Sequence, residues 1–574
     1  MRISRMDVRQ RLRAAVGAAA LMALAACATV QDEAAQAPVA SETVQILAIN
    51  DFHGNLEVPA GTTRYMAGGQ EVTETLGGAA RLGATLTKLR EGRGNSITVA
   101  AGDLISGSPL VSAYYLDEPS IMALNRMGLD LASVGNHEFD KGTAELLRMQ
   151  KGGCEIHTAR QPCRLDSPFE GARFTYLAAN VVEEATGETL FPATAIRQFG
   201  SARIGFIGMT LKDTNTLVSP AGTAGFRFED EADTANRLAA DLKAKGADAV
   251  VVLIHQGAEV DPFYNQDSCP GLDGDIMPIL SRLDPAIRLV VSGHTHKAYI
   301  CEVPASDGST RLLTSAGRYG YFVTDIRMTL DPATDRITSL QAANTPVVAT
   351  AGEQQDVAAL VGRHSASSAD VASRVVGRIE GSLDSTPGQV DTALARLVAD
   401  SQLASTRDVA RGGAQISFIN SGGVRATFRP AADGSVTYGQ IFALQPFGNT
   451  VEVLELTGAQ IKQALEQEFT VDGTGQFRQS YLIPSAGFTY TIDRSRPDGQ
   501  HVVAMTFDGR PIDPAATYRV AVNNFLAQGG DGFTVFLQGR FVNGGGNDLD
   551  AMEAFIATGA VASGEARITE VGGS

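Results

Sequence analysis

Five short apolar runs, each closed by small or polar residues, constrain this chain most: VQILAI at 44–49, SITVAA at 96–101, LASV at 131–134, AVVVLI at 249–254 and RLVVS at 288–292. Runs of this length and punctuation suit buried strands better than helices. Between them lie stretches with helical spacing, GAARLGATLTKLREG at 78–92, PSIMALNRMG at 119–128 and ADTANRLAADLKAKG at 232–246. The last closes on a glycine, where a helix C-cap is expected. Strands alternating with helices predict an α/β layered domain. In such folds ligands bind beyond the carboxyl ends of the strands, where loops converge.

Each run gives way to residues of one chemical kind. Asp51 and His53 stand in NDFHG, Asp103 in AGDL, Asn136 in GNHEFD, His255 in LIHQG, and His294 and His296 in GHTH. Of only eight histidines, His53, His137, His255, His294 and His296 fall inside these motifs, which scattered surface histidines would not do. Alone, a His or Asp after a strand often serves as a turn former or cap. Five such motifs together point to a metal cluster. Imidazoles, carboxylates and one amide, with no thiolate, suit Zn²⁺, Mn²⁺, Fe²⁺ or Co²⁺. Two such ions about 3.5–4 Å apart share a carboxylate and a water and clamp phosphoryl oxygens. Asp103 is the natural bridge.

In order and spacing, NDFHGN (50–55), AGD (101–103), GNHEFD (135–140), IHQG around His255 and GHTH (293–296) resemble the calcineurin-like metallophosphoesterases, and specifically the exported 5′-nucleotidase family. The resemblance implies an N-terminal four-layer α/β/β/α metallophosphoesterase domain and a C-terminal α+β substrate-binding domain. It implies one metal on Asp51, His53, Asp103 and His296, and a second on Asp103, Asn136, His255 and His294. It also implies that His137 is not a ligand but points at the substrate phosphate, oriented by Asp140. An imidazole there stabilises charge developing in the transition state, and a neighbouring carboxylate fixes its tautomer and raises its pKa.

At 574 residues, with 44% hydrophobic and 19% charged, the chain is too long for one core and at least two domains are expected. The first spans 44–348. The Ala-rich polar stretch 349–372 has a helical look and is expected to be a linker and hinge. A second domain, 373–574, carries a helix at 391–407, a strand QISFIN at 415–420, and three further segments that match the 5′-nucleotidase substrate domain: NSGGVR (420–425), QPFGN (445–449) and NFLAQGGDGF (524–533). Paired glycines ending at Gly423 let the backbone approach a ligand closely, and Arg425 beside them can bind a phosphate bidentately. Arg407, at the end of the preceding helix, is expected to reach the same phosphate. The resemblance implies that Phe447 and Phe525 sandwich a nucleobase, with Asn449 on the base, Asp531 on ribose hydroxyls, and Asn420 in the glycine turn. The chain has no Trp, so Phe must do the stacking. Core packing for the phenylalanines and a turn role for Asp531 are the alternatives.

The N-terminus reads as a targeting segment. Arg2, Arg5, Arg9, Arg11 and Arg13 precede an apolar stretch, Ala14 to Ala26, that ends in Leu24-Ala25-Ala26-Cys27. This resembles a bacterial lipobox, which implies removal of 1–26, a lipid on Cys27, and a flexible tether over 27–43. An ordinary secretory signal is the other reading. Either implies export to the periplasmic side, and Ala28, where an Asp would signal inner-membrane retention, favours the outer membrane. Cys154, Cys163, Cys269 and Cys301 then suit two disulfides in an oxidising compartment, with proximity favouring 154–163 and 269–301 at about 3 kcal/mol each. Cysteine as a metal ligand is the rival reading. Without 1–26 the chain has 42 basic and 63 acidic residues, a net of −21, which counts against binding a nucleic-acid polymer.

The expected activity is removal of phosphate from nucleoside 5′-monophosphates, by in-line attack of a hydroxide held between two metals. The same machinery acting on nucleotide sugars, dinucleotides, 2′,3′-cyclic nucleotides or 3′-nucleotides is the alternative. A non-catalytic nucleotide-binding surface lipoprotein would show losses among the ligands, and none is found. His157, His364 and His501 read as ordinary surface residues.

Overall fold

In the computed structural model, the described residues are 41–571 apart from 60, 159, 261–268, 332–333, 335, 382, 384–390, 470–479 and 562–564. Cys27, the segment 1–26 and most of the tether 27–43 lie outside them.

All five apolar runs are strands: Glu42–Ile49, Ser96–Ala101, Leu131–Ser133, Ala249–His255 and Ile287–Ser292. They fall into two six-stranded sheets. In the first, Ser96–Ala101 lies parallel to both Glu42–Ile49 and Leu131–Ser133. In the second, Ala249–His255 lies parallel to both Ala202–Thr210 and Ile287–Ser292. Strands buried on both faces explain why these runs are continuously apolar rather than alternating. The inner faces meet in a core that includes Ile46, Val99, Phe206, Val251 and Leu289. Helices Ala79–Arg90, Glu118–Met127 and Thr143–Lys151 cover the outer face of the first sheet through Leu82, Leu124 and Leu146. Helices Glu231–Ala244 and Ile276–Arg282 cover the second through Leu238, Leu242 and Ile279. Each buried aliphatic side chain contributes about 1.5–3 kcal/mol, and together they hold four layers, α/β/β/α.

The second half is α+β. A five-stranded sheet runs in the order Leu482–Pro484, Ile416–Asn420, Thr517–Asn523, Thr450–Thr457, Arg540–Asn547. Helix Ala393–Thr406 packs on it. Capping boxes Thr437/Gln440 and Thr457/Gln460 start helices Tyr438–Leu444 and Gly458–Glu466. Disulfides join Cys154 to Cys163 and Cys269 to Cys301, the pairing that proximity favours.

Two features differ from the sequence reading. Most of the stretch expected to link the halves is a 19-residue helix, Gln355–Ser373, packed against Ala79–Arg90 and Glu118–Met127 on one side and Tyr438–Leu444 on the other. Its buried stripe is Val357, Leu360, His364 and Ser368, a 3–4 spacing with only two strong hydrophobes. His364 and His501 are each 1% exposed, not surface residues. His364 pairs with Asp166 at 3.0 Å and meets the Tyr115 ring edge-on, while His501 stacks on Phe469. Both are held by partners from distant segments, which no local pattern announces.

Candidate functional site

Three of the five motifs turn sharply as they leave their strands. Asp51, His53, Asp103, His294 and His296 all adopt left-handed backbone, with φ of 48°, 46°, 51°, 73° and 61°. Such conformations are costly for non-glycine residues and persist where the surroundings over-determine them, above all at functional sites. The surroundings here do so. His53 N–H donates to Asp103 O at 3.0 Å, Asp51 N–H to Gly102 O at 3.1 Å, and His294 N–H to both carboxyl oxygens of Asp51. Asn50 Nδ2 fixes Asp51 Oδ2 at 2.7 Å.

Seven side chains converge as a result. Asp51, His53 and His296 bring ligand atoms within 4.8 Å of one another, as do Asp51, Asp103 and His255. Asp103 Oδ2 lies between two imidazoles, 3.0 Å from His255 Nε2 and 3.5 Å from His53 Nε2. His294 Nδ1 and Asn136 Oδ1 are 3.1 Å apart. The donors fit divalent ions on a specific observation. His255 Nδ1 donates to Ala101 O at 2.8 Å, which leaves the buried Nε2 facing the cluster, 3.0 Å from Asp103 Oδ2. His53 Nδ1 likewise donates to Ser106 O at 2.9 Å and turns Nε2 inward. An imidazole oriented by a carbonyl through one nitrogen and presenting the other is the usual arrangement of a metal ligand.

The electrostatics agree. Burial pushes the Asp103 carboxyl up, but the His255 and His137 imidazoles outweigh it and hold it well below the usual carboxylate range. Burial, with His255 beside it, takes His294 down to about 3, and burial takes His296 down to about 4 against the pull of Asp51. Burial and Arg425 depress His53 as well, so these rings are neutral. His255 goes the other way: burial opposes its charge, but Asp103 raises it to about 9.

His137 belongs to neither of these two close-set groups and pairs with Asp140 instead. Burial lowers its pKa, yet Asp140 and Asp103 raise it above the ordinary value, and Nδ1 sits 2.8 Å from Asp140 Oδ2. Glu138, unremarked in the sequence, ties the loops together. Its buried carboxylate accepts from the N–H groups of Gly135, Asp103 and Leu104 at 2.6, 2.9 and 2.8 Å. Its only signal was its place inside GNHEFD. Glycine is required at 135 because the loops touch: a Cβ there would lie 2.2 Å from Asp103 Oδ1.

A cavity of about 200 Å³ opens beside the cluster and is lined by both halves. Asn136, His137, Asp140 and His294 come from the first half; Asn420, Gly423, Arg425, Phe447, Asn449, Phe525 and Asp531 come from the second. Phe447 stacks on His137 with centroids 5.6 Å apart, and Arg425 Nη2 donates to His53 Nε2 at 2.8 Å. Asp531, also left-handed at φ 53°, accepts from Asn420 Nδ2 at 2.7 Å and Ser480 Oγ at 2.8 Å. Leu217, Val218 and Ser219 add a wall that no sequence motif announced. Arg407 is the exception among the expected substrate-binding residues. It is exposed at the end of helix Ala393–Thr406 and does not line the cavity, because the helix ends with that side chain turned to solvent. A larger groove of about 570 Å³, among Ser405, Arg411, Asn543 and Asp550, contains none of the expected site residues.

Comparison with known proteins decides the family. Residues 44–298 match the calcineurin-like phosphoesterases, and residues 375–538 match the 5′-nucleotidase C-terminal domain. The chain belongs to the 5′-nucleotidase family. It is 26% identical to a 5′-nucleotidase precursor from Thermus thermophilus whose crystal structure superposes with a TM-score of 0.75, covering 93% of this chain and 100% of that one. It is 26% identical to a probable 5′-nucleotidase of Treponema pallidum over 85% of this chain and 86% of the relative. It is 30% identical to endonuclease YhcR of Bacillus subtilis over 91% of this chain, but spans only 40% of that longer protein. The phosphoesterase half thus belongs to a family that uses divalent metals, and the described residues contain a fitting donor set.

Proposed function

We propose that this chain is a dinuclear-metal nucleotide phosphohydrolase that releases phosphate from nucleoside 5′-monophosphates. One observation carries the reading: a single cavity runs from Asn136, His137 and His294, at the edge of the histidine–carboxylate cluster of one half, to Phe447, Phe525, Asn449 and Asp531 of the other. The family of both halves supports it.

One ion would be held by Asp51, His53, Asp103 and His296, the other by Asp103, Asn136, His255 and His294; when bound, they lower the pKa of water and neutralise phosphoryl charge. The residues of the chain do the rest. Arg425, whose guanidinium reaches into the cluster, holds phosphoryl oxygens. His137, oriented by Asp140, which favours its protonated form, donates toward the oxygen on which charge develops. Phe447 and Phe525 offer faces for base stacking, worth about 1–3 kcal/mol per base. Asn420 and Ser480 aim Asp531 at a sugar hydroxyl. The acidic chain carries little long-range attraction for polymers, which favours a small nucleotide.

For location, we propose export and anchoring through a lipid on Cys27; the LAAC sequence and the two disulfides support an oxidising compartment. Phosphate release from AMP, with and without chelator, tests the activity. Turnover that stops on chelation and returns with Mn²⁺ or Zn²⁺ is expected. A folded protein that binds AMP but never turns it over would leave a binding protein in its place.

A further inference from the structure

Behind His53 lies a charged cluster outside the ligand set. The carbonyl that accepts from His53 Nδ1 belongs to Ser106, itself left-handed at φ 64° and 3% exposed. Two groups hold Ser106 in that conformation. Its N–H donates to Asp117 Oδ2 at 3.2 Å, and its hydroxyl accepts from Lys141 Nζ at 2.8 Å. Lys141 Nζ also donates to Asp117 Oδ2 at 2.8 Å, closing a three-membered network. Asp117 is fully buried and left-handed at φ 66°, with Ser112 Oγ donating to its other oxygen at 2.7 Å.

The chain position of Lys141 matters as much as its contacts. It comes directly after Asp140, which orients His137, and it sits five residues beyond Asn136. The ammonium therefore ties the loop bearing Asn136 and His137 to the loop running on from Asp103. A buried carboxylate with no counter-ion would be strongly unfavourable, so Lys141 both compensates Asp117 and fixes Ser106. The ring plane of His53, and hence the direction of its Nε2 lone pair, is set by where the Ser106 carbonyl is placed.

We propose that Lys141, with Asp117, is a positioning residue for the metal ligand His53, acting through Ser106. This rests on the dinuclear reading of the site. Neither Lys141 nor Asp117 lines the substrate cavity, so the effect falls on metal affinity and on kcat rather than on nucleotide binding.

The test is calorimetric titration of chelator-stripped full-length protein with Mn²⁺, alongside AMP kinetics. Lys141→Met is expected to weaken one of two Mn²⁺ binding events by about 10–100-fold, the range for outer partners of metal ligands, and to leave the other within about threefold. At subsaturating Mn²⁺ its kcat falls while KM for AMP holds. Lys141→Arg, which can still donate to both oxygens, restores the weakened event. The double variant Lys141→Met/Asp117→Asn removes the uncompensated charge but not the lost tether, and its Mn²⁺ affinity stays low. Wild-type affinity in Lys141→Met, or full recovery in the double variant, overturns the proposal and leaves the dinuclear reading standing. Wild-type protein that binds no Mn²⁺ or Zn²⁺ removes both.

Discussion

Gly135→Ala is the sharpest probe of how the metal loops are assembled. Gly135 is not in a left-handed conformation, so backbone strain does not enter. The cost is purely one of space. An added Cβ would sit 2.2 Å from Asp103 Oδ1 and 2.6 Å from its backbone nitrogen, against 3.4 Å for ordinary contact. The two loops must therefore separate by about 1 Å, carrying Asp103 with them. The same displacement loosens the 2.9 Å bond from His137 N–H to Asp103 Oδ1 and the three bonds to Glu138. A misplacement of about 1 Å at a reacting centre costs about 100-fold in rate, or about 2.7 kcal/mol of barrier. Overpacking adds about 1–3 kcal/mol of destabilisation, which a well-folded two-domain chain tolerates. The assay is phosphate release from AMP at saturating Mn²⁺, with a thermal melt to show that the variant is folded. A folded variant whose kcat/KM stays within threefold of wild type would refute the claim that Asp103 is held by this close approach.

Other perturbations test separate parts of the structure. Phe525→Ala should lower kcat/KM for AMP by about 5–150-fold, the value of one base stack, while a small aryl phosphate is hydrolysed nearly as before; equal losses on both substrates would assign Phe525 to packing. Gly362→Ala, at an exposed helical position with no atom within 4 Å of the added Cβ, should raise stability by about 0.5–1 kcal/mol without touching activity, read by denaturant unfolding. Glu468 is buried beneath Tyr490, and burial lifts its pKa to about 8. The folded state thus keeps a proton that the unfolded state releases above its ordinary value of 4.5, so stability falls as pH rises between those two values. Glu468→Gln should flatten that decline in the melting temperature, and an unchanged slope would show that Glu468 is ionised in place.

What could be read from residue order and what could not divides along physical lines. The metal loops were legible because a strand buried on both faces is continuously apolar, and Asp51, Asp103 or His294 then breaks it abruptly. The disulfides were legible because nine and 32 residues separate the paired cysteines with no other choice as near. Glu138 was not, since an isolated glutamate signals a surface residue and only the backbone N–H groups of two loops make it a buried strut. The helix Gln355–Ser373 is legible as helical but not as packed, because its core-facing stripe includes His364 and Ser368, whose burial depends on Asp166 and on chain packed from elsewhere. Leu217, Val218 and Ser219 reach the cavity only through tertiary placement. Arg407 shows the converse error: sequence proximity to a helix end says nothing about which way its side chain leaves.

Metal stoichiometry set against turnover is the most direct measurement. Protein purified without chelator, analysed for metal content and assayed on AMP, should hold two divalent ions per chain. Stripping should abolish phosphate release, and replacing both ions should restore it. Full hydrolysis of AMP by protein with no bound metal would contradict the dinuclear site at its root.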